Sequence, residues 1–140
     1  MAEQISSELK QQITAEKDWH RCAVFTHKGK VITASKCQLQ PDEIKFYTLA
    51  FEDRDTTVGE GFFVDGDHFD VHRFHPPLVY GRRGGPDDGE GIALCRVKPK
   101  KPIADEPYWY LLITYLLPIL SAKAVPQMVK FSENFLGNPE

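Results

Sequence analysis

Between Tyr108 and Leu117 the chain reads YWYLLITYLL, ten residues without a charge. Side chains of a strand alternate between its two faces, so a run that is apolar at odd and even positions alike needs cover on both sides. The apolar stretch Trp109 to Leu120 is too short to cross a bilayer. It is therefore expected as the central strand of a sheet, with covering layers supplied from the rest of a 140-residue chain, a length that suits one domain.

Those layers can be read from periodicity. Ile5, Leu9 and Ile13 recur every four residues among polar ones, which predicts an amphipathic helix over about residues 4–17. RCAVFT and KVITAS flank His27-Lys28-Gly29 as a hairpin. In LQPDEIKFYTLAF, Pro41 fits the first helical position, Asp42 and Glu43 suit the positive helix end, and Leu39 can staple onto Ile44. Asp65-Gly66-Asp67 turns the paired aromatics of Val58–Val64 into a strand, HFDVHRF, ended by Pro76-Pro77. LVYG and EGIALCRVK follow as strands around the wide turn RRGGPDDGE, with Ala93, Cys95 and Val97 on one face and Ile92, Leu94, Arg96 and Lys98 on the other. Val125, Met128, Val129, Phe131, Phe135 and Leu136 predict a last helix ending at Gly137, with Pro126 at its start or kinking its first turns. The helices of both chain ends can then cover one face of the sheet.

A net charge of −3 and 26% charged residues give no general attraction for nucleic acid. Cys22, Cys37 and Cys95 are odd in number and form no C-x-x-C, which fits a reducing cytoplasm, and the polar N-terminal stretch lacks a signal-like apolar region. There is no nucleophile beside a base and no phosphate loop, so no enzymatic activity and no cofactor are expected. His68, His72 and His75 with Asp65, Asp67 and Asp70 hold metal-binding side-chain types. His75 lies beyond a bend from the other two histidines, so these are expected as exposed strand and turn residues rather than a metal site. The concentrated feature that remains is basic: Arg82-Arg83, then Arg96, Lys98, Lys100 and Lys101.

RCAVFTHKGKVITA, QPDEIKFYTLAFED, GFFVDG, VYGRRG and GIALCRVK stand in the order and spacing of the first hairpin, T-P-x-E-I helix, G-F-x-x-x-G segment, I-x-G-K-K-G turn and K-K-T strand of profilins. Over nearly its whole length the chain resembles that family. The resemblance implies an α+β fold, a central antiparallel sheet with the N- and C-terminal helices on one face and smaller helices on the other. It also implies a non-enzymatic, monomeric cytoplasmic protein that binds monomeric actin at its barbed end, regulates polymerisation and promotes nucleotide exchange. The positions implied for actin are Phe63, Val64, Val71, Arg73, Arg82, Arg83, Lys123, Val125, Val129 and Lys130. With Arg82 and Arg83 as an exposed pair, reversing both charges would weaken actin binding and leave the fold intact. A phosphoinositide membrane surface is a second implied partner, through Arg82, Arg83, Arg96, Lys98, Lys100 and Lys101.

Departures from the family pattern are equally specific. The first helix has no Trp or Tyr, and Ile32-Thr33-Ala34 replaces the W-A dipeptide, so poly-proline binding is not expected unless Trp19 or Phe135 rebuilds a platform. The acidic insertion Pro86 to Glu90, the long hairpin KPKKPIADEPYW and YLLP in place of Y-x-E-P mark a divergent member, of the kind found in actin-bearing archaea. The alternative from another class is a small-ligand sensor or scaffold of the PAS or roadblock type.

Overall fold

The computed structural model describes residues 2–85, 89–100 and 107–140. Its elements follow in the order α1 (Ala2–Ala15), β1 (Cys22–Thr26), β2 (Val31–Ser35), α2 (Pro41–Leu49), α3 (Arg54–Glu60), β3 (Phe62–Val64), β4 (Asp67–His75), β5 (Leu78–Arg83), β6 (Glu90–Pro99), β7 (Trp109–Leu116), α4 (Ser121–Phe135) and β8 (Gly137–Pro139). The strands form one antiparallel sheet in the order β2-β1-β7-β6-β5-β4-β3, and β8 pairs with the far end of β6. Lys101, and Pro86 to Asp88 of the acidic insertion, lie outside the described residues, as does most of the hairpin after Lys100.

The apolar run is the middle of the sheet, as its composition demands. Trp109, Leu111, Ile113 and Tyr115 of β7 face a core shared with Leu9 and Ile13 of α1 and Ala124, Met128 and Phe131 of α4. Tyr110 and Leu112 face a second core closed by Ile44 and Tyr47 of α2. Each apolar side chain so buried contributes about 1.5–3 kcal/mol relative to exposure, and the sheet divides the interior into two halves. The terminal helices lie together on one side, with α2 on the other.

Local signals explain where the helices begin. Glu43 accepts the Gln40 amide at 2.9 Å, which caps α2 just before Pro41. The same carboxylate accepts the amides of Asp65 at 3.2 Å and Gly66 at 3.0 Å, tying α2 to the β3–β4 turn. From α1, Ser6 donates to the Ile32 carbonyl at 2.5 Å and Lys10 donates to that of Ala34, so carbonyls on the outer edge of β2 are already occupied.

Two boundaries differ from the sequence expectation. Arg54–Glu60 is a helix, capped by Asp53, whose side chain accepts the Thr56 amide. The last helix begins at Ser121 with Pro126 inside its first turns, one of the two placements the sequence left open. It stops at Phe135, and Gly137 opens β8 instead of ending the chain's regular structure. A Cβ at Gly137 would come within 2.0 Å of the Lys98 carbonyl oxygen, so only glycine lets β8 approach β6 this closely.

One end of the sheet is joined by buried charge. Arg21, 8% exposed, forks onto Glu90, 2% exposed, with Nε to Oε2 at 3.0 Å and a terminal nitrogen to Oε1 at 2.8 Å. It also donates to Asp67 at 2.8 Å and to the Val64 carbonyl at 3.2 Å. Arg83 brings in β5, its Nε reaching Glu90 at 3.2 Å, and both guanidinium groups lie over the Phe69 ring. Burial alone would raise the Glu90 pKa, but hydrogen bonds from Arg21, Thr114 and Arg83 outweigh it and hold the carboxyl below its ordinary value. A carboxyl depressed in the folded state stabilises the fold at pH values above its unfolded pKa, about 4.3 for glutamate, and that stability is lost as pH falls through the lower folded value. Unfolding free energy measured against pH is thus expected to decline below about pH 5, and Glu90→Gln should flatten the decline.

Candidate actin-binding face

Cross-strand pairing identifies the side chains that share the α4 side of the sheet. Tyr115 belongs to the α1/α4 core and pairs with Gly91, which pairs with Arg82, which pairs with Asp70. One row along, Ile113, Ala93, Tyr80 and Arg73 are aligned in the same way. A register shift between Val71 and Arg73 inserts His72, and this bulge carries Arg73 onto the face that Val71 turns away from. At the outer edge Phe63 pairs with His68, its ring 4.8 Å from the His68 ring, while Phe62 and Val64 point into the opposite core. Helix α4 covers β6 and β7, so Arg73, Arg82 and Phe63, on β4, β5 and β3, are left without a helix above them.

The helix meets this face along one flank. Val125 packs against the α1/α4 core that Leu78 and Tyr80 also touch. Val129 follows one turn later on the same flank. The start of α4 is fixed by Tyr115, whose hydroxyl lies 2.6 Å from Ser121 Oγ and whose ring passes over Gly91. An added Cβ at Gly91 would sit 2.1 Å from that ring, and Tyr115 is fully buried. Gly91→Ala is therefore expected to cost about 1–3 kcal/mol of stability as overpacking, measured by urea unfolding.

The sequence family and the fold agree. The profilin family model matches residues 4–100, more than two thirds of the chain. This chain is a profilin. No curated protein matches it in sequence. Among solved structures, its fold is similar to that of Acanthamoeba castellanii profilin IA, with a TM-score of 0.75 at 16% identity over 92% of this chain and 94% of that one. Schizosaccharomyces pombe profilin follows at 0.67 and 21% identity, covering 86% and 90%. LokiProfilin1 in complex with rabbit actin gives 0.67 at 12% identity, covering 96% and 95%. The family is one of non-enzymatic actin-binding proteins, which leaves the PAS or roadblock alternative without support. Among the described residues no helix is long and apolar enough to cross a membrane.

The fold gathers some of the expected contact residues of this profilin and disperses others. Phe63, Arg73, Arg82, Val125 and Val129 share the α4-side face or its flank, and Lys130 is exposed on the outer surface of α4. Val64 and Val71 do not belong there. They are 0% and 4% exposed and fill the core under α2, because strand alternation turns them inward. Arg83 points the same way as they do and is held by Glu90, so it is part of the scaffold. Lys123 lies about 160° around α4 from Val125, on the α1 flank, where it pairs with Asp18 at 3.1 Å. Gln127 shares that aspartate, and the two cationic and amide donors lower the Asp18 pKa.

The six basic residues expected as one phosphoinositide patch are likewise divided. Glu90, opposite Arg83, and Lys98 stand at opposite ends of β6, about 27 Å apart at strand rise. Arg96 is committed: its guanidinium stacks 4.8 Å from the Phe51 ring and 4.4 Å from Tyr108, and donates to the Glu140 carbonyl at 3.0 and 2.6 Å. Of the six, only Arg82 lies on the candidate face among the described residues.

Other contributors were not singled out from sequence. Tyr80 and His75 extend the face on β5 and β4, while Leu116 and Leu120 are 43% and 52% exposed where β7 leads into α4, Leu116 on the opposite side of the sheet from Tyr115. The signal for the leucines was present in YLLPIL, where an apolar run continues past the end of a buried strand.

Proposed function

We propose that this profilin binds monomeric actin through the uncovered α4-side face of β3, β4 and β5 and the adjoining flank of α4, and regulates actin assembly without catalysing a reaction. The observation that carries the proposal is the alignment of Arg73, Tyr80 and Arg82 beside the Val125–Val129 flank, an apolar strip with a cationic border. Specific interfaces pair an apolar centre with a polar rim over about 800 Å² per partner. The three strand spacings from β6 to Phe63 on β3, about 14 Å, fit inside such a footprint. Support also comes from the similar fold of LokiProfilin1, a protein solved in complex with rabbit actin.

The test is calorimetric titration into latrunculin-blocked monomeric actin. One-to-one saturable binding is expected, and no heat with a folded protein would overturn the proposal. Barbed-end engagement and promotion of nucleotide exchange belong to the same proposal, the latter read as faster release of a fluorescent nucleotide from actin. Lys123→Ala, on the far flank of α4, is expected to leave actin affinity within about twofold. A phosphoinositide headgroup held by Arg82 on this face would compete with actin. Vesicle co-sedimentation with and without phosphoinositide measures this, and equal binding to both at low salt would dismiss it.

A further inference from the structure

On the opposite side of the β3 edge, a groove of about 330 Å³ runs between the first turns of α2 and the end of α3. Phe46 and Phe63 supply its apolar lining, and Asp42, Glu43 and Glu60 surround them. Glu43 is committed to three backbone amides, that of Gln40 in the cap of α2 and those of Asp65 and Gly66 in the β3–β4 turn, so the same carboxylate that caps the helix fixes this wall of the groove. Asp42 and Glu60 are exposed to solvent at its rim. From Pro41 to Asp67 eight carboxylates stand against Lys45 and Arg54, but Asp65 and Asp67 are offset by Arg21 and Arg83, so the negative charge at the groove itself is carried by Asp42, Glu43 and Glu60.

We propose that this groove is a second docking site, for a segment of a partner protein that inserts one aromatic or long aliphatic side chain and carries Lys or Arg on either side of it. The volume is at the small end of ligand pockets, about 300–1,000 Å³, which suits a single large side chain. The carboxylate field repels phosphates and acidic peptides and draws cationic ones, so charge complementarity selects the occupant. The site is set apart from the actin face by charge as well as by position, since Arg73 and Arg82 make that face basic. Phe63, at the edge of the sheet, is the wall between them.

The experiment is selection of a phage-displayed random dodecapeptide library on the immobilised full chain, followed by anisotropy titration of the enriched peptides. Enrichment of an apolar residue flanked by Lys or Arg is expected, with affinity falling about tenfold or more on Asp42→Lys with Glu60→Lys. The milder pair Asp42→Asn with Glu60→Gln is expected to weaken the same peptides in the same direction. Actin titration of these variants should stay within about twofold of the parent. Enrichment of nothing, of acidic peptides, or of peptides indifferent to both pairs would overturn the site. Peptide binding abolished by Arg73→Glu instead would also overturn it. So would concentration-dependent self-association removed by the rim substitutions, which would make a second copy the occupant. If the rim variants lose actin and peptide equally, the groove is part of the actin face. The second site then falls while the actin proposal stands.

Discussion

Glu90→Ala is expected to lower the free energy of unfolding by about 3–5 kcal/mol, because removing one partner of a buried pair leaves the other charge desolvated and unpaired. A shift in the urea midpoint would measure it. Since a domain of this kind has about 5–15 kcal/mol in total, the variant should be close to unfolding at ordinary temperature. The size of the effect follows from what Glu90 holds. Arg21, just before β1, and Arg83 from β5 converge on one carboxylate of β6, and the other acceptors of Arg21 are Asp67, which is 44% exposed, and the uncharged Val64 carbonyl. Replacing both ends together, Arg21→Met with Glu90→Leu, is expected to recover much of the loss, since an apolar pair of similar volume carries no desolvation cost. A loss under about 1 kcal/mol for Glu90→Ala would show instead that the pair behaves as a surface ion pair.

Reversing Arg73 and Arg82 together, each to Glu, is expected to weaken actin binding by about 1–4 kcal/mol with the fold retained. The measurement is the calorimetric titration above, beside an unfolding curve for the variant. Arg73 is exposed and Arg82 half-buried, and neither forms part of the Glu90 cluster. The sequence alone points to a different experiment, reversal of Arg82 and Arg83, in which the fold would survive. The structure changes that expectation. Arg83→Glu would place a carboxylate against Glu90 and over Phe69, so the pair would lose stability and affinity at once. An unchanged actin affinity in the Arg73→Glu, Arg82→Glu protein would remove both arginines from the interface.

Much of the architecture is legible because it is local. The run at Tyr108 to Leu117 announces its own burial, and α2 carries its cap, its proline and its first-turn acids within four residues. Helix α3 is not legible in that way. Thr56, Thr57, Val58 and Gly59 are poor helix formers. The helix forms because Asp53 caps it and the Thr57 hydroxyl donates to the Ala50 carbonyl at 2.6 Å in the interior. β8 depends on a contact between residues 98 and 137, which no local pattern contains.

The candidate face divides along the same line. Motif order picked out the segments of the candidate face, and strand alternation could already have separated Phe63 from Val64. Arg82 and Arg83 are adjacent in sequence yet point to opposite faces, and only the register with β6 reveals that one of them meets a buried glutamate. The six basic residues are dispersed for a related reason: residues close in the sequence were assigned to one patch although a strand spreads them along its length.

The division of the interior into two halves also decides what an optical probe can see. Both tryptophans of the chain, Trp19 and Trp109, are buried in the α1/α4 half, whereas Tyr47 and Tyr110 are in the other. Indole emission therefore follows the loosening of one side of the sheet and is silent about the side that α2 covers. Should the α2 side melt first, fluorescence would report an intact protein while circular dichroism had already begun to change. Coincidence of the two signals is thus, in this molecule, a direct measure of whether the sheet transmits unfolding from one of its faces to the other.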